Sequence, residues 1–323
     1  MNPSRKRIVY LLLGFSLSGA FLYLALNKVD FESVWAAFTR IDILMITLCA
    51  ALVAASITLR SIRWRLIAGK DRHDNKSFFR ATTLGYFANF VLPLRAGELV
   101  KTVTIASLAD IKFPTAVASA IIDRFFDLAV TLLAAGFIIW HLNFRELETA
   151  TLVIGSALLV LIGILLLFFK FADSSHGFFR ATDQFIERIT SRFPGVWAEL
   201  RADIHNIARS DVGLTITFML LIIFVADYLI VYCLLLSFDL SLPLHAPLVL
   251  WVFFALGSAL PSAPGYIGVY QLAAVWALGN YDVSPSIAVA VATVMQLNLL
   301  ATASLLSGPS AWSIARSIQT GKA

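Results

Sequence analysis

Charge is what this 323-residue chain has least of. Asp, Glu, Lys and Arg make up 14% of it, apolar residues 59%, and its mean hydropathy is +0.83. Soluble domains carry about 25% charged residues, so a mostly water-facing protein is excluded. Cysteine is nearly absent. Cys49 and Cys233 both sit inside apolar runs, which excludes a disulfide framework. The five histidines (His73, His141, His176, His205 and His245) are scattered and form no HExxH pair, so no metal site or cofactor is expected. There is no P-loop, no GxGxxG and no nucleophile–base–acid set, so no catalytic residue is expected either. The net charge of +5 and pI of about 9.3 come mainly from basic residues beside apolar runs. Anionic lipid and topology control account for that placement better than nucleic acid does.

What the chain has in abundance is long apolar runs. Runs at 8–26, 41–59, 113–140, 151–169, 212–237 and 285–307 are each long enough to cover a hydrocarbon core of roughly 30 Å as a helix. Arg5-Lys6-Arg7 before the first run resembles a signal peptide, but no small-x-small cleavage site sits before a polar mature domain, so a retained span is expected. Counted by loop, 18 Lys and Arg fall on one side of these spans and three on the other (Lys28, Arg40 and Arg145). The basic side is the cytoplasm by the positive-inside rule, and both termini lie there. Trp35, Trp64, Trp140, Trp251 and Trp312 fall near span ends, where interface anchoring is expected.

Two further apolar stretches are interrupted, one at 78–94 and one at 247–281. Parity of the charged loops requires each to return to its starting side, as a re-entrant hairpin or as a pair of full spans. The re-entrant form is preferred because an arm over 80–92 is only about 20 Å long as a helix. The fold expected is therefore an all-α polytopic membrane bundle, a single domain over 1–323. Its first half (1–170) holds a broken hairpin at 78–112 and its second half (212–323) one at 247–281, as an inverted repeat. Between them lies a cytoplasmic amphipathic segment, 171–211. Its apolar stripe (Phe178, Phe185, Ile189, Phe193, Trp197, Leu200, Ile204, Ile207) suits either the inner membrane surface or packing on the ends of the spans.

The breaks echo each other: Leu92-Pro93-x-x-x-Gly97 in one half and Leu260-Pro261-x-x-x-Gly265 in the other. Proline removes a backbone donor and glycine permits unusual dihedrals. Backbone groups freed at membrane depth need protein or a water-filled cavity, and paired breaks in two halves point to a transport site. Pro93, Gly97, Pro261, Pro264, Gly265 and Gly268 are the residues of these breaks. Charges cluster nearby in sequence. Asp123, Arg124 and Asp127 lie inside the 113–140 run, and Arg95 and Glu98 follow the first break. Each charge at mid-membrane costs about 2.5–3.5 kcal/mol on insertion scales, so all should be paired and face protein or water. These five charges, with Asn89 and Gln271, form the expected substrate-binding set; a purely structural ion-pair network is the alternative. Asp227 is a lone acid in its span and a candidate for proton coupling or for pairing with a polar partner.

The run Asn89-Phe90-Val91-Leu92-Pro93-Leu94-Arg95-Ala96-Gly97-Glu98, then Asp123-Arg124-x-x-Asp127, then Pro261-x-x-Pro264-Gly265-x-x-Gly268, resembles the flippase-like transmembrane region of lysylphosphatidylglycerol synthases. That family includes stand-alone membrane proteins of this length. The resemblance implies a bacterial or archaeal inner-membrane protein that handles lipids. The chain ends soon after its last span, so the soluble aminoacyl-transferase domain is expected to be absent. Asp123-Arg124 stands where the family often has Glu-Arg, and Lys101 where a basic residue commonly follows Gly-Glu.

The function expected is translocation of a lipid or lipid-linked headgroup. Its partners would be membrane lipids, above all an anionic phospholipid, with no nucleic acid. The alternatives are an accessory subunit or intramembrane enzyme of a lipid- or glycan-modifying pathway, working with a partner enzyme, and a proton-coupled small-solute transporter using Asp227.

Overall fold

The computed structural model describes residues 3–69, 75–92, 96–109, 111–142, 195–209, 211–260 and 262–319. Every regular element among them is helical. In chain order they are α1 (Pro3–Leu26), α2 (Phe31–Thr39), α3 (Ile43–Ile67), α4 (Asn75–Val91), α5 (Gly97–Leu108), α6 (Phe113–Leu142), α7 (Val196–Arg209), α8 (Asp211–Ser237), α9 (Ala246–Gly257), a 3-10 turn (Pro264–Tyr266), α10 (Val269–Gly279) and α11 (Pro285–Gln319). α3, α8 and the Pro285–Trp312 part of α11 are long and apolar enough to cross a membrane. The chain is a helical membrane bundle. The run at 151–169 and residues 171–194 of the amphipathic segment lie outside the described residues, as do Pro93, Arg95 and Pro261.

Contacts divide the chain into two compact units. The first comprises Met1–Ile57, Thr82–Lys101 and Val225–Ala323, and the second Thr58–Ala81 and Thr102–Phe224. In the first, α9, α10 and α11 pack around Leu250, Phe254, Ala274, Leu278, Ala288 and Val291, all buried. α1 lies against α10 and α2 against α11.

The second unit has two apolar cores. One gathers Trp64, Phe78, Ile105 and Ile111 with Ala81, Ala116 and Ala120. The other joins Ile67, Ile122 and Ile216 to Leu200, Ile204 and Ile207 of α7. The C-terminal part of the amphipathic stripe is thus packed within the second unit.

One boundary and one side-chain placement differ from the sequence reading. α3 was expected to end at 59 but runs on to Ile67, because Ile62, Trp64, Leu66 and Ile67 continue its apolar pattern. Trp64, expected as an interface anchor, is fully buried. It meets Phe78 edge-on with ring centroids 5.0 Å apart, and its indole N–H donates to Ser119 Oγ at 3.1 Å.

Both interrupted stretches are broken where expected. α4 and α5 have 17 and 12 residues, α9 and α10 12 and 11. At about 1.5 Å per residue none reaches 30 Å.

Candidate functional site

Among the described residues, one side chain and one close approach hold the first break. Asn89 Oδ1 accepts the backbone N–H of Gly97 at 3.0 Å, supplying a partner at the start of α5. The arms cross where Gly85 meets Gly97: a Cβ on Gly97 would lie 2.1 Å from the Gly85 carbonyl oxygen and 2.3 Å from Asn89 Oδ1. Only glycine permits that crossing. Glu98 is half-buried in the first turn of α5, where the helix dipole favours an acid.

The second break is closed by a relay of amides. Gln271, in the first turn of α10, accepts the Gly268 N–H at 2.8 Å. Its Nε2 donates to Gln296 Oε1 at 2.6 Å, and Gln296 Nε2 donates to the Gly265 carbonyl at 2.8 Å. Ser18 Oγ accepts the Ala263 N–H at 2.7 Å. Gly265 and Gly268 have φ of +71° and +83°, where side chains are strained, and Tyr266 takes that region at +62°.

The two tips touch inside the first unit. Phe90 meets Tyr266 edge-on at 5.8 Å, Tyr266 stacks on Tyr270 at 5.1 Å, and Tyr270 on Phe254 at 4.6 Å. Pro264 opens the 3-10 turn, which contains Gly265.

The charged residues of α6 belong to the second unit, and most of their described ion pairs are with α3. The Arg63 guanidinium is fully buried, and its Nε and Nη2 donate to Asp123 Oδ1 at 2.9 and 2.7 Å. Nη2 also donates to Asp127 Oδ1 at 2.8 Å. Arg60 Nη1 lies 2.7 Å from Asp127 Oδ2, and Arg124 Nη1 is 3.5 Å from the same oxygen, with 44% of its side chain exposed. Arg124 and Asp127 stand three residues apart on α6, and theirs is the longest of the described ion pairs. Asp123 is buried. Arg63 Nη1 is buried and has no hydrogen-bond partner among the described residues. Among the described residues the cluster holds three guanidiniums and two carboxylates, a formal charge of +1.

Arg60 and Arg63 are what sequence reasoning missed. Counted as loop charges, they are helical residues one turn apart. The signal was there: the apolar pattern of α3 continues past them to Ile67.

Asp227 accepts from Ser56 Oγ at 2.7 Å, a neutral partner on α3. Cys49 donates to the Ile230 carbonyl, and both cysteines are buried and free. Among the described residues no group of acids, histidines and cysteines could hold a metal.

Among curated proteins the chain is similar to glycosyltransferase AglD from Haloferax volcanii. The two are 25% identical over 336 residues, covering 91% of this chain and 53% of that protein. The chain thus spans about half the length of that relative. No solved structure gives a significant match. The sequence profile described as the lysylphosphatidylglycerol synthase TM region matches residues 11–307, breaks and ion pairs included, and the chain belongs to that family.

Proposed function

We propose that the protein moves an anionic lipid headgroup across the membrane, with its phosphate taken by the arginines around Asp123 and Asp127. One observation carries this reading: a buried guanidinium, Arg63, whose Nη1 has no hydrogen-bond partner among the described residues, in a cluster whose described positive charges outnumber its described negative ones. Leaving such a donor unsatisfied costs about 1–3 kcal/mol, more for a charged group, so the cluster favours an added acceptor oxygen. Arg124 is the exposed member. Its planar fork suits a phosphate, and its contact with Asp127 is long enough to exchange for one. Acyl chains would stay in the bilayer while the headgroup passes. The paired breaks support the same reading, since irregular backbone at membrane depth belongs beside protein or water. Arg95 remains a proposed phosphate contact of the first break, and the cell membrane, with both termini cytoplasmic, the proposed location.

The test is reconstitution into vesicles with labelled phosphatidylglycerol and, in parallel, labelled phosphatidylcholine. Wild type should accelerate transbilayer movement of the anionic lipid. Arg124→Ala should lower that rate by about ten- to a hundredfold, the loss of one charged hydrogen bond of about 1.5–3 kcal/mol. Arg95→Ala is measured beside it. Equal rates with and without protein for both lipids would discard the proposal.

A second reading rests on the similarity to a glycosyltransferase of about twice this length. In it the chain is a membrane subunit of a glycan- or lipid-modifying pathway. Sugar transfer from a labelled nucleotide sugar to a lipid phosphate by the purified chain, without lipid movement, would favour it.

A further inference from the structure

The short helix α2 joins α1 to α3 across residues 27–30 and 40–42, and two hydrogen bonds fix its depth. The Asp30 N–H donates to Ser286 Oγ at 2.9 Å, tying the start of α2 to the start of α11. The Asp42 N–H donates to the Ser237 carbonyl at 3.0 Å, tying the start of α3 to the end of α8. α3, α8 and α11 are the three long apolar helices. α2 is therefore held at the ends of all three, at the level where hydrocarbon gives way to headgroups.

α2 contains no buried residue. Val34, Ala37 and Phe38 are partly covered on the side where it packs against α11. Phe31 and Trp35, one turn apart on the adjoining face, are 68% and 71% exposed, and Ile43 and Leu44 in the first turn of α3 are 78% and 70% exposed. Glu32, Ser33 and Thr39 occupy the remaining face. A face of large aromatic residues beside a polar face, at a span end, has the make-up of an interfacial helix, and tryptophan favours that depth.

We propose that α2 lies flat in the headgroup–acyl boundary of one leaflet, with Phe31 and Trp35 dipping toward the acyl chains and Glu32 and Ser33 facing water. The leaflet is the one at the N-terminal end of α3, opposite the end carrying Arg60, Arg63 and Arg65. Trp35 is then one contact of an in-plane helix that holds the neighbouring end of α11 at the interface. The occupant of this surface is lipid, which the continuity of Phe31 and Trp35 with the exposed apolar start of the α3 span favours over a protein partner.

The experiment uses the full chain in phosphatidylcholine–phosphatidylglycerol vesicles, with the buried cysteines replaced (Cys49→Ala, Cys233→Ala). Nitroxides are attached singly at Phe31→Cys, Trp35→Cys, Glu32→Cys and Ser33→Cys. Collision rates with oxygen, which concentrates in lipid, and with a water-soluble nickel chelate are compared. Labels at 31 and 35 should favour oxygen severalfold, and labels at 32 and 33 the chelate. Chelate access at 31 and 35 equal to that at 32 and 33 would overturn the proposal. Shielding of 31 and 35 from both reagents would also overturn it, in favour of a protein contact. The native chain gives an independent readout: quenching of tryptophan emission by lipids brominated near the headgroup should weaken in Trp35→Phe. Unchanged quenching would count against the in-plane helix.

Discussion

The described hydrogen bonds at the hairpin tips are neutral, made by side-chain amides and one hydroxyl: Asn89 to Gly97, Gln271 through Gln296 to Gly265, and Ser18 to Ala263. Those between α3 and α6 join full charges: Arg60 and Arg63 with Asp123 and Asp127. The tips need only what an interrupted helix needs, partners for a few orphaned N–H and C=O groups, and an uncharged amide supplies both at low desolvation cost. Apolar side chains could hold α3 to α6 more easily than buried ions, so keeping charge there fits a role for the charge itself.

The largest way to break this comparison is Arg63→Leu. Removing Arg63 takes a buried charge partner from Asp123, and the loss should be about 3–5 kcal/mol, seen in thermal unfolding of the detergent-purified protein. Adding Asp123→Leu should recover much of it; a double variant no better than the single would show that Arg63 acts through something other than this pair. Next comes Gly97→Ala, whose new Cβ would overlap the Gly85 carbonyl. It should cost about 1–3 kcal/mol or more by the same measurement. Gly19→Ala, with nothing within 4 Å, serves as the control and should cost no stability.

Gln296→Leu sharpens the neutral side. It removes the donor to Gly265 and the acceptor of Gln271, for about 1–3 kcal/mol. Adding Gln271→Leu should cost less than the two singly measured losses together, because the amides act as one relay.

The smallest effect concerns Asp30, the N-cap of α2, which accepts from the Ser33 hydroxyl and from the Ser33 and Glu32 N–H groups. The Ser33 bonds, the hydroxyl's first, hold its carboxyl below the usual aspartate value of 3.8. A depressed folded value means that its contribution is present above the unfolded value and is lost as pH falls through the folded one. The Ser33 amide resonance should therefore titrate with a midpoint below that of a free aspartate. A midpoint at or above it would remove the cap.

Much of the fold was legible. Apolar runs, and the Pro and Gly punctuation at 92–97 and 260–268, placed the helices and both breaks, because bilayer thickness and backbone sterics act locally on the sequence. The partners of Asp123 and Asp127 were not legible. Arginines after an apolar run look the same whether they end a span or continue it, and only packing of α3 on α6 distinguishes the two. The amide closures were hidden for a related reason: Asn89 is eight residues before the Gly97 N–H it accepts, and Gln296 is 31 residues from Gly265. The Asp-Arg-x-x-Asp spacing did anticipate one contact, Arg124 with Asp127.

The crossing of Gly85 and Gly97 has a mechanical consequence. With the two backbones in contact and Asn89 bonded across them, neither arm can slide along the other without driving an oxygen into a main chain. The arms are riveted in one register. Any displacement of the first hairpin must carry both arms together, as a single paddle, with bending confined to the chain on either side of the rivet.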